Sequence, residues 1–434
     1  MKTLALAVSL CALIVCFPVE FAAAQGISPP AARPSGQVAP PVDDLVAIAL
    51  GRSSEVDMMR AKLNAARELV APAGALPNGM ASLSFTEADF PSFSVGREPM
   101  SAVTIDYKQV LPYGGKREAR RAVARADVET KARELEELRR QIVRQVRTIY
   151  ARVYALDRER MTLRAARELL DLLTATAAAR YGVGDASQEP VIKAQLALSK
   201  VDERIDDLAA ERRMQVAALN RLLDFPIDAP LGDIDALPPV IVPSGNWMDL
   251  ALLNAPGLAV AQAEIDAARK RLAVTRLELK PDFTIGGGVG IRGKLPPVVS
   301  FAVGIEWPRW KKDKQEPLQR AAEQELELAR HMEHDEWVNL RTEVARLGAE
   351  WQRADQQIRR YQQAILPQTA AAMDAARLEY LNARGDFSTV IEDFGLWLDA
   401  RVRLAAREAD RFAAWADLQV VISGPAPFGL GEER

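Results

Sequence analysis

Hydrophobic positions recur with two different periods along this chain of 434 residues. Four short runs alternate apolar and polar residues, which is the pattern of strands with one apolar face. We expect these strands over residues 81–88, 101–110, 282–292 and 298–307. The segments that follow each pair of runs place apolar residues every three or four positions instead, which predicts helices.

The predicted helices are far longer than those of a globular domain. Residues 116–181 contain neither Pro nor Gly and would span about 100 Å as one helix. We expect one helical hairpin over 116–224 and another over 311–422. Apolar spacings of four and three predict a coiled-coil seam in each hairpin. The seam residues are Ile142, Val146, Ile149, Val153 and Leu156, then Leu340, Val344, Leu347 and Trp351.

The two halves of the chain carry the same features in the same order. Gly184-Asp185-Ala186-Ser187 is matched by Gly385-Asp386-Phe387-Ser388, and other matches keep the same separation of roughly 200 residues. This constant offset predicts a tandem duplication. Its parts are a first repeat over 44–225, a proline-rich linker over 226–247, a second repeat over 248–423 and a tail over 424–434.

The first residues predict export. An apolar stretch over 4–17 followed by Ala22-Ala23-Ala24 is typical of a secretory signal peptide, which we place at 1–24. A proline-rich tether is expected over 25–43. We favour plain cleavage over lipidation of Cys16, because Val15 is not the small residue that a lipoprotein signal requires.

Composition excludes several classes of function. A formal net charge of −3 argues against a nucleic-acid partner. With only 2 Cys and 2 His, and no convergent nucleophile and base, the chain is not expected to be an enzyme, to need a cofactor or to hold a metal. His331 and His334 have the spacing of a shared metal site, but a surface helix is the interpretation we favour.

Four strands cannot cover their own edges beside hairpins of this length. Three copies would supply twelve strands, enough to close a transmembrane barrel, while a small soluble β-subdomain remains the alternative. Aromatic residues in or beside the runs suit a membrane-interface girdle or an ordinary core. They are Phe85, Phe90, Phe93, Tyr107, Tyr113, Trp307 and Trp310.

Three motifs resemble those of the TolC-like outer-membrane efflux family, and the match covers essentially all of the mature chain. They are the tip motif Arg180–Ser187, the strand exit Gln109–Lys116 and the exit Glu306-Trp307-Pro308. The resemblance implies a mainly α-helical homotrimer in the outer membrane of a Gram-negative bacterium. Its β-barrel of twelve strands would continue into a periplasmic tunnel of twelve helices.

The resemblance also implies a function. Such a channel passively exports substrate from an inner-membrane pump, of the resistance-nodulation-division type, through a periplasmic adaptor. The first tip and the first strand exit are most similar to channels of heavy-metal resistance systems. A periplasmic coiled-coil adaptor is the alternative, but adaptors carry one hairpin, whereas this chain carries two.

The resemblance assigns roles to individual residues. Adaptor docking is expected at the tips, through Gly182, Val183, Gly184, Asp185, Ala186 and Ser187, and through Arg384, Gly385, Asp386, Phe387 and Ser388. Asp386, Glu392 and Asp393 are the gate candidates, with Glu392 or Asp393 favoured because the second tip is shortened. Val103, Ile105, Tyr107, Phe301 and Val303 are expected to face lipid. The basic residues after each strand pair, such as Lys116-Arg117 and Lys311-Lys312, are expected to be solvated, with a lipid contact as the alternative.

Overall fold

The computed structural model describes residues 38–86, 100–241, 245–382 and 384–424. The predicted signal peptide, most of the tether, nearly all of the tail, and the aromatic residues Phe90 and Phe93 lie outside these ranges. Among the described helices, none combines the length and the apolar character needed to cross a bilayer.

The order of elements in the first half recurs in the second. The first half contains α1 (Val42–Arg52), α2 (Ser54–Ala73), β1 (Met80–Thr86), β2 (Ala102–Leu111), α3 (Lys116–Gly182) and α4 (Glu189–Leu222). The second half contains α5 (Trp247–Asn254), α6 (Pro256–Leu277), β3 (Asp282–Arg292), β4 (Leu295–Glu306), α7 (Gln315–Arg360), a π-helical turn (Tyr361–Ile365), α8 (Leu366–Leu381) and α9 (Phe387–Ile422).

Each half opens with two helices that are separated by a single residue. Ser53 separates α1 from α2 and Ala255 separates α5 from α6. Their backbones are nearly identical, with φ/ψ of −61°/119° at Ser53 and −62°/123° at Ala255. Pro256 explains the second break, because a proline pushes the preceding residue into an extended conformation. Ser53 adopts the same backbone without a proline.

The long helices of the two hairpins differ in continuity. α3 runs for 67 residues without interruption. The corresponding helix of the second half is interrupted after Arg360 by the π-helical turn, and Pro367 follows directly in the first turn of α8. Pro367 has no N–H to donate and its ring crowds the carbonyl four residues earlier. The wider π turn accommodates both effects while the chain remains helical.

The four strands form one antiparallel sheet in the order β1-β2-β3-β4. The central pair joins the two halves of the chain, since β2 pairs with β3 through residues such as Ile105 and Val289. The outer edges of β1 and β4 have no partner strand in the described chain.

Buried apolar residues form four clusters, all of them among the helices, the chain that leads into α1 and the linker. The largest packs α1, α3 and α4 against the segment after α4, and includes Ile142, Val146 and Val153 of the predicted seam. A second cluster joins the tip halves of the two hairpins. The strands contribute no residue to these clusters in the part of the chain that the structure describes, so the helices have their own core and the sheet has none.

Candidate functional site

The first hairpin tip is built around a left-handed glycine. α3 ends at Gly182, and Gly184 then adopts φ +78°, a conformation that residues with a side chain rarely take. The tip is open to solvent: Val183 is 81 % exposed and Asp185 and Ser187 are also exposed. Gln188 is the N-cap of the returning helix α4, and no side chain forms a capping hydrogen bond there.

The second tip is shorter and is capped differently. α8 ends at Leu381 and α9 begins at Phe387. Asp386 is the N-cap, and its Oδ1 accepts a hydrogen bond of 3.2 Å from the backbone N–H of Ser388. Gly385 is not in the left-handed region. Phe387 is buried at 1 % exposure, which keeps its side chain from a partner protein in this conformation, whereas Arg384 is exposed.

Two basic side chains connect the tips. Arg180 in α3 donates 2.7 Å to the carbonyl oxygen of Tyr380 and pairs at 3.1 Å with Asp185 in its own tip. Its guanidinium also lies over the Tyr380 ring, 4.8 Å from the centroid. From α4, Lys193 donates 2.7 Å to Ser388 Oγ. These contacts were not expected from the sequence, because nothing local indicates which residue of the other tip each cation meets.

Tyr380 is the centre of this connection. Its ring packs edge-on against Phe387 at 5.1 Å. Burial raises the pKa of Tyr380, and the nearby Arg180 offsets only part of that effect. On Lys193 the hydrogen bond to Glu189 is the main reason that the pKa is raised, with a smaller contribution from the carboxylate of Asp386.

The three gate candidates have different surroundings. The Asp386 carboxylate is already used in capping α9 and lies near Lys193. Glu392 is exposed and Asp393 is half-buried, and neither forms an ion pair or a side-chain hydrogen bond within the described ranges. Of the three, Glu392 has the carboxylate most available to ions.

The sheet has one apolar face and one face of small and polar residues. Directly paired residues of an antiparallel sheet point to the same side. The pairs Phe85–Val103, Ile105–Val289 and Ile285–Val303 therefore share the apolar face. The opposite face carries Ser84, Thr104, Asp106, Thr284 and Ser300.

No element of the described chain covers the apolar face. Phe301 is 87 % and Val303 80 % exposed, Ile105 and Tyr107 are also exposed, and Val103 is half-buried. These are the five residues expected to contact lipid. An apolar surface that crosses four strands without a covering element is unusual for a protein in water.

Lys116 is not solvated, which corrects the expectation for that residue, whereas Arg117 is exposed as expected. Lys116 is 2 % exposed, and its Nζ donates 2.8 Å to Asp282 Oδ1 and 2.9 Å to the carbonyl oxygen of Lys280. Arg120 pairs with Glu278 at 2.7 Å, and Arg117 donates to the carbonyl oxygen of Gly74. The start of α3 thus binds the ends of both α2 and α6. Lys311 and Lys312 are exposed, as expected.

No group of His, Cys, Asp and Glu side chains in the described residues has the arrangement of a metal site. His334 instead stacks on Trp337 at 5.9 Å.

Comparison with known proteins gives this geometry a context. A model of the outer membrane efflux protein family matches residues 247–423. The second half of the chain is thus similar in sequence to outer membrane efflux proteins. The predicted resemblance to the outer-membrane efflux family is thereby confirmed for this half of the chain. No curated protein matches the chain significantly.

Solved structures extend the likeness to nearly the whole chain. The outer membrane protein VceC from Vibrio cholerae is 18 % identical, with a TM-score of 0.75, and the match covers 88 % of this chain and 96 % of VceC. CusC is 16 % identical, with a TM-score of 0.75 and coverage of 92 % and 96 %. The MtrE outer membrane channel of Neisseria gonorrhoeae is 15 % identical, with a TM-score of 0.68 and coverage of 89 % and 90 %. The first half therefore shares the fold of these outer-membrane proteins.

Proposed function

We propose that this protein is the outer-membrane exit channel of a tripartite efflux system. Three copies close a barrel of twelve strands, and their six hairpins form a periplasmic tunnel. The two halves of each copy are a tandem duplication. A periplasmic adaptor docks at the hairpin tips, and an inner-membrane pump of the resistance-nodulation-division type supplies the energy, so the channel itself is passive.

The main support for this proposal comes from the sheet. Its apolar face is exposed across all four strands, and the edges of β1 and β4 are open. In water both features would favour aggregation. In an outer membrane the apolar face contacts lipid, and each open edge pairs with the neighbouring copy, which satisfies the backbone hydrogen-bonding groups. The small and polar face then lines the lumen.

The tips supply the adaptor surface. Gly182, Val183, Gly184 and Asp185 are exposed at the first tip, and Arg384 and Asp386 at the second. Helical hairpins of an adaptor would meet these residues at the periplasmic end of the tunnel. Phe387 supports the second tip from within, through its contact with Tyr380.

The gate acid we propose is Glu392. Its carboxylate is exposed and unpaired in the described chain, whereas Asp386 is engaged in the N-cap. Three copies of one carboxylate around a narrow axis attract cations. Heavy-metal cations are the cargo class that we propose, on the resemblance of the first tip and the first strand exit to channels of metal-resistance systems.

Cross-linking tests the barrel. The two native cysteines, Cys11 and Cys16, fall within the predicted signal peptide, so introduced cysteines report alone. With Ser84→Cys on β1 and Ser300→Cys on β4, a bifunctional thiol reagent should give covalent dimers and trimers in the outer-membrane fraction. The matched control, Ile105→Cys with Val289→Cys, lies at a directly paired position inside one sheet and should give monomers only. A monomer recovered from the soluble periplasm contradicts the proposal.

Ion selectivity tests the gate. Glu392→Ala removes the carboxylate ring and should lower the cation selectivity in planar bilayers. The decrease should be only a few-fold, because charges open to water are strongly screened. The measurement is the reversal potential across a salt gradient, with Asp393→Ala and Asp386→Ala for comparison. If Asp386→Ala has the larger effect, the ring is at the N-cap and not at Glu392.

A further inference from the structure

The chain leaves β4 through a short exposed segment that is rich in tryptophan and basic residues. This second exit, Trp307–Lys314, contains Trp307 at 72 % and Trp310 at 66 % exposure. It also carries four exposed cations with a single acid, Asp313, among them. The cations are Arg309, Lys311, Lys312 and Lys314.

The side chains of these cations have no hydrogen-bond or ion-pair partner among the described residues. None of the four forms an ion pair or a side-chain hydrogen bond with another described residue, and Arg309 only lies 5.7 Å from the centroid of the Trp310 ring. Backbone hydrogen bonds keep the segment compact, including those from Arg309 N to Trp307 O at 2.7 Å and from Lys314 N to Trp310 O at 2.9 Å. Positive charge is thus concentrated in a few turns of chain without neutralisation by the fold.

The first exit provides the internal comparison. After β2 the corresponding basic residues have partners within the protein. Lys116 binds Asp282, Arg117 donates to the carbonyl oxygen of Gly74, and Arg120 binds Glu278. Stabilisation of the fold therefore explains the cations of the first exit and does not explain those of the second. The cations after β4 are left available to a partner outside the chain.

The position of the second exit indicates the partner. Trp307 continues the alternation of Phe301, Val303 and Ile305, so it lies at the end of the uncovered apolar face. Phe283 at the start of β3 is paired with Ile305, and the Tyr113 backbone N–H donates 2.7 Å to Asp282, so aromatic residues gather at this end of the sheet. Tryptophan and tyrosine at the boundary of an apolar belt are typical of the headgroup layer of a membrane.

We propose that the second exit, Trp307–Lys314, binds the headgroups of acidic phospholipids in the periplasmic leaflet of the outer membrane. The tryptophan rings lie at the boundary between acyl chains and headgroups, and the lysine and arginine side chains reach the phosphates beyond them. Because each copy carries one such segment next to an open β4 edge, bound lipid would also cover the outside of the contact between copies. The inference rests on the proposed membrane-embedded barrel.

The test uses the full-length protein purified in a neutral detergent. Short-chain phosphatidylglycerol is titrated while the melting temperature is followed, and parallel titrations use short-chain phosphatidylcholine and inorganic phosphate. For the wild type, phosphatidylglycerol should raise the melting temperature, and the other two should have little effect. The variant with Lys311→Gln, Lys312→Gln and Lys314→Gln should reach the same rise in melting temperature only at a higher concentration of phosphatidylglycerol. That concentration should increase roughly fivefold for each removed charge.

The matched control removes three other exposed cations that have no ion pair in the described chain, through Lys200→Gln, Arg213→Gln and Arg353→Gln. It should respond to phosphatidylglycerol as the wild type does. An equal loss in the control, an unchanged response of the first variant, or an equal effect of inorganic phosphate overturns the lipid site.

Fractionation of the same cells separates this inference from the function on which it rests. If wild type and variants form trimers in the outer membrane but do not respond to phosphatidylglycerol, only the proposed lipid site is wrong. A wild type that is absent from the outer membrane overturns the barrel, and the lipid site with it.

Discussion

The two hairpins share one plan, but only the second contains irregular helix geometry. In the first, α3 is continuous from Lys116 to Gly182 and its first turn is held by buried polar contacts. In the second, the matching helix begins later, at Gln315, and is interrupted by the π-helical turn at Tyr361–Ile365. The first hairpin is thus fixed at its start and uniform along its length, and the second is neither.

This difference gives the second hairpin, and not the first, a point at which its long helix is weakened. A π turn followed by Pro367 weakens the ladder of backbone hydrogen bonds at one point, and no such point exists in α3. The segment beyond it, α8 and the start of α9, carries the gate candidates. It is connected to the first tip by Arg180 and Lys193. The first hairpin is therefore regular along α3, and the second has one irregular point on the way to its tip.

A proline exchange between the hairpins tests this asymmetry and should have the largest effect. Counted from the tip glycines Gly184 and Gly385, Ala166 in α3 occupies the place of Pro367. Ala166→Pro should lower the free energy of unfolding by about 3 kcal/mol, because α3 has no π turn to receive the ring. Pro367→Ala should raise it by at most about 1 kcal/mol. Denaturant unfolding followed by circular dichroism measures both, with Ala166→Gly as a control, and equal magnitudes would contradict the asymmetry.

Removing the buried cation at the start of α3 should have the next largest effect. Lys116→Met leaves Asp282, which is 19 % exposed, with the Tyr113 backbone N–H but without its cation. The substitution should cost about 3 kcal/mol, less where water reaches the carboxylate. The exposed Lys312→Met at the second exit should change stability by less than about 0.5 kcal/mol. Thermal unfolding in detergent compares the two variants. Similar losses would mean that the two exits are equivalent.

The connection between the tips should have a moderate effect. Arg180→Ala removes the hydrogen bond to Tyr380, the ion pair with Asp185 and the ring contact, at a cost of about 1 kcal/mol. In planar bilayers it should increase the time that the channel spends in its higher-conductance state. Arg384→Ala is the matched control, because the side chain of Arg384 has no partner in the described chain. An unchanged conductance for Arg180→Ala would show that the tips are not restrained by this residue.

The smallest effect concerns an acid of α7, and it depends on pH. Burial, and then the carboxylates of Glu137 and Asp335, raise the pKa of Glu336 above its ordinary value of 4.5. The folded state therefore holds this proton more tightly than the unfolded state, and stability falls as the pH rises through the window above 4.5. Glu336→Gln should raise stability at pH 7 by less than about 1 kcal/mol, and the gain should vanish below the ordinary pKa.

Unfolding series at both ends of the pH window check this expectation. Glu325→Gln, an exposed acid of α7, is the control and should change stability little at either pH. A gain for Glu336→Gln that persists at low pH would mean that the charge is not the cause.

The strands and the long helices could be predicted from the sequence, because both depend on nearby residues. Alternation at a period of two marks β2 and β3 as strands with one apolar face, and the absence of Pro and Gly allows α3 to run without a break. The tip glycine Gly184 has a local consequence as well, since the left-handed backbone that it adopts ends a helix.

The tertiary structure decided the partners, because residues far apart in sequence must first be brought together. The pairing of β2 with β3, which joins the two halves, and the burial of Lys116 against Asp282 have no local signal. The same is true of the contact between Arg180 and Tyr380. A period in the sequence specifies which face of an element is apolar, but the identity of the residue opposite depends on how whole hairpins pack. For this reason the basic residues at the two strand exits look alike in sequence and differ in the fold. Those at the first exit have partners within the protein, and those at the second have no side-chain partner in the described chain.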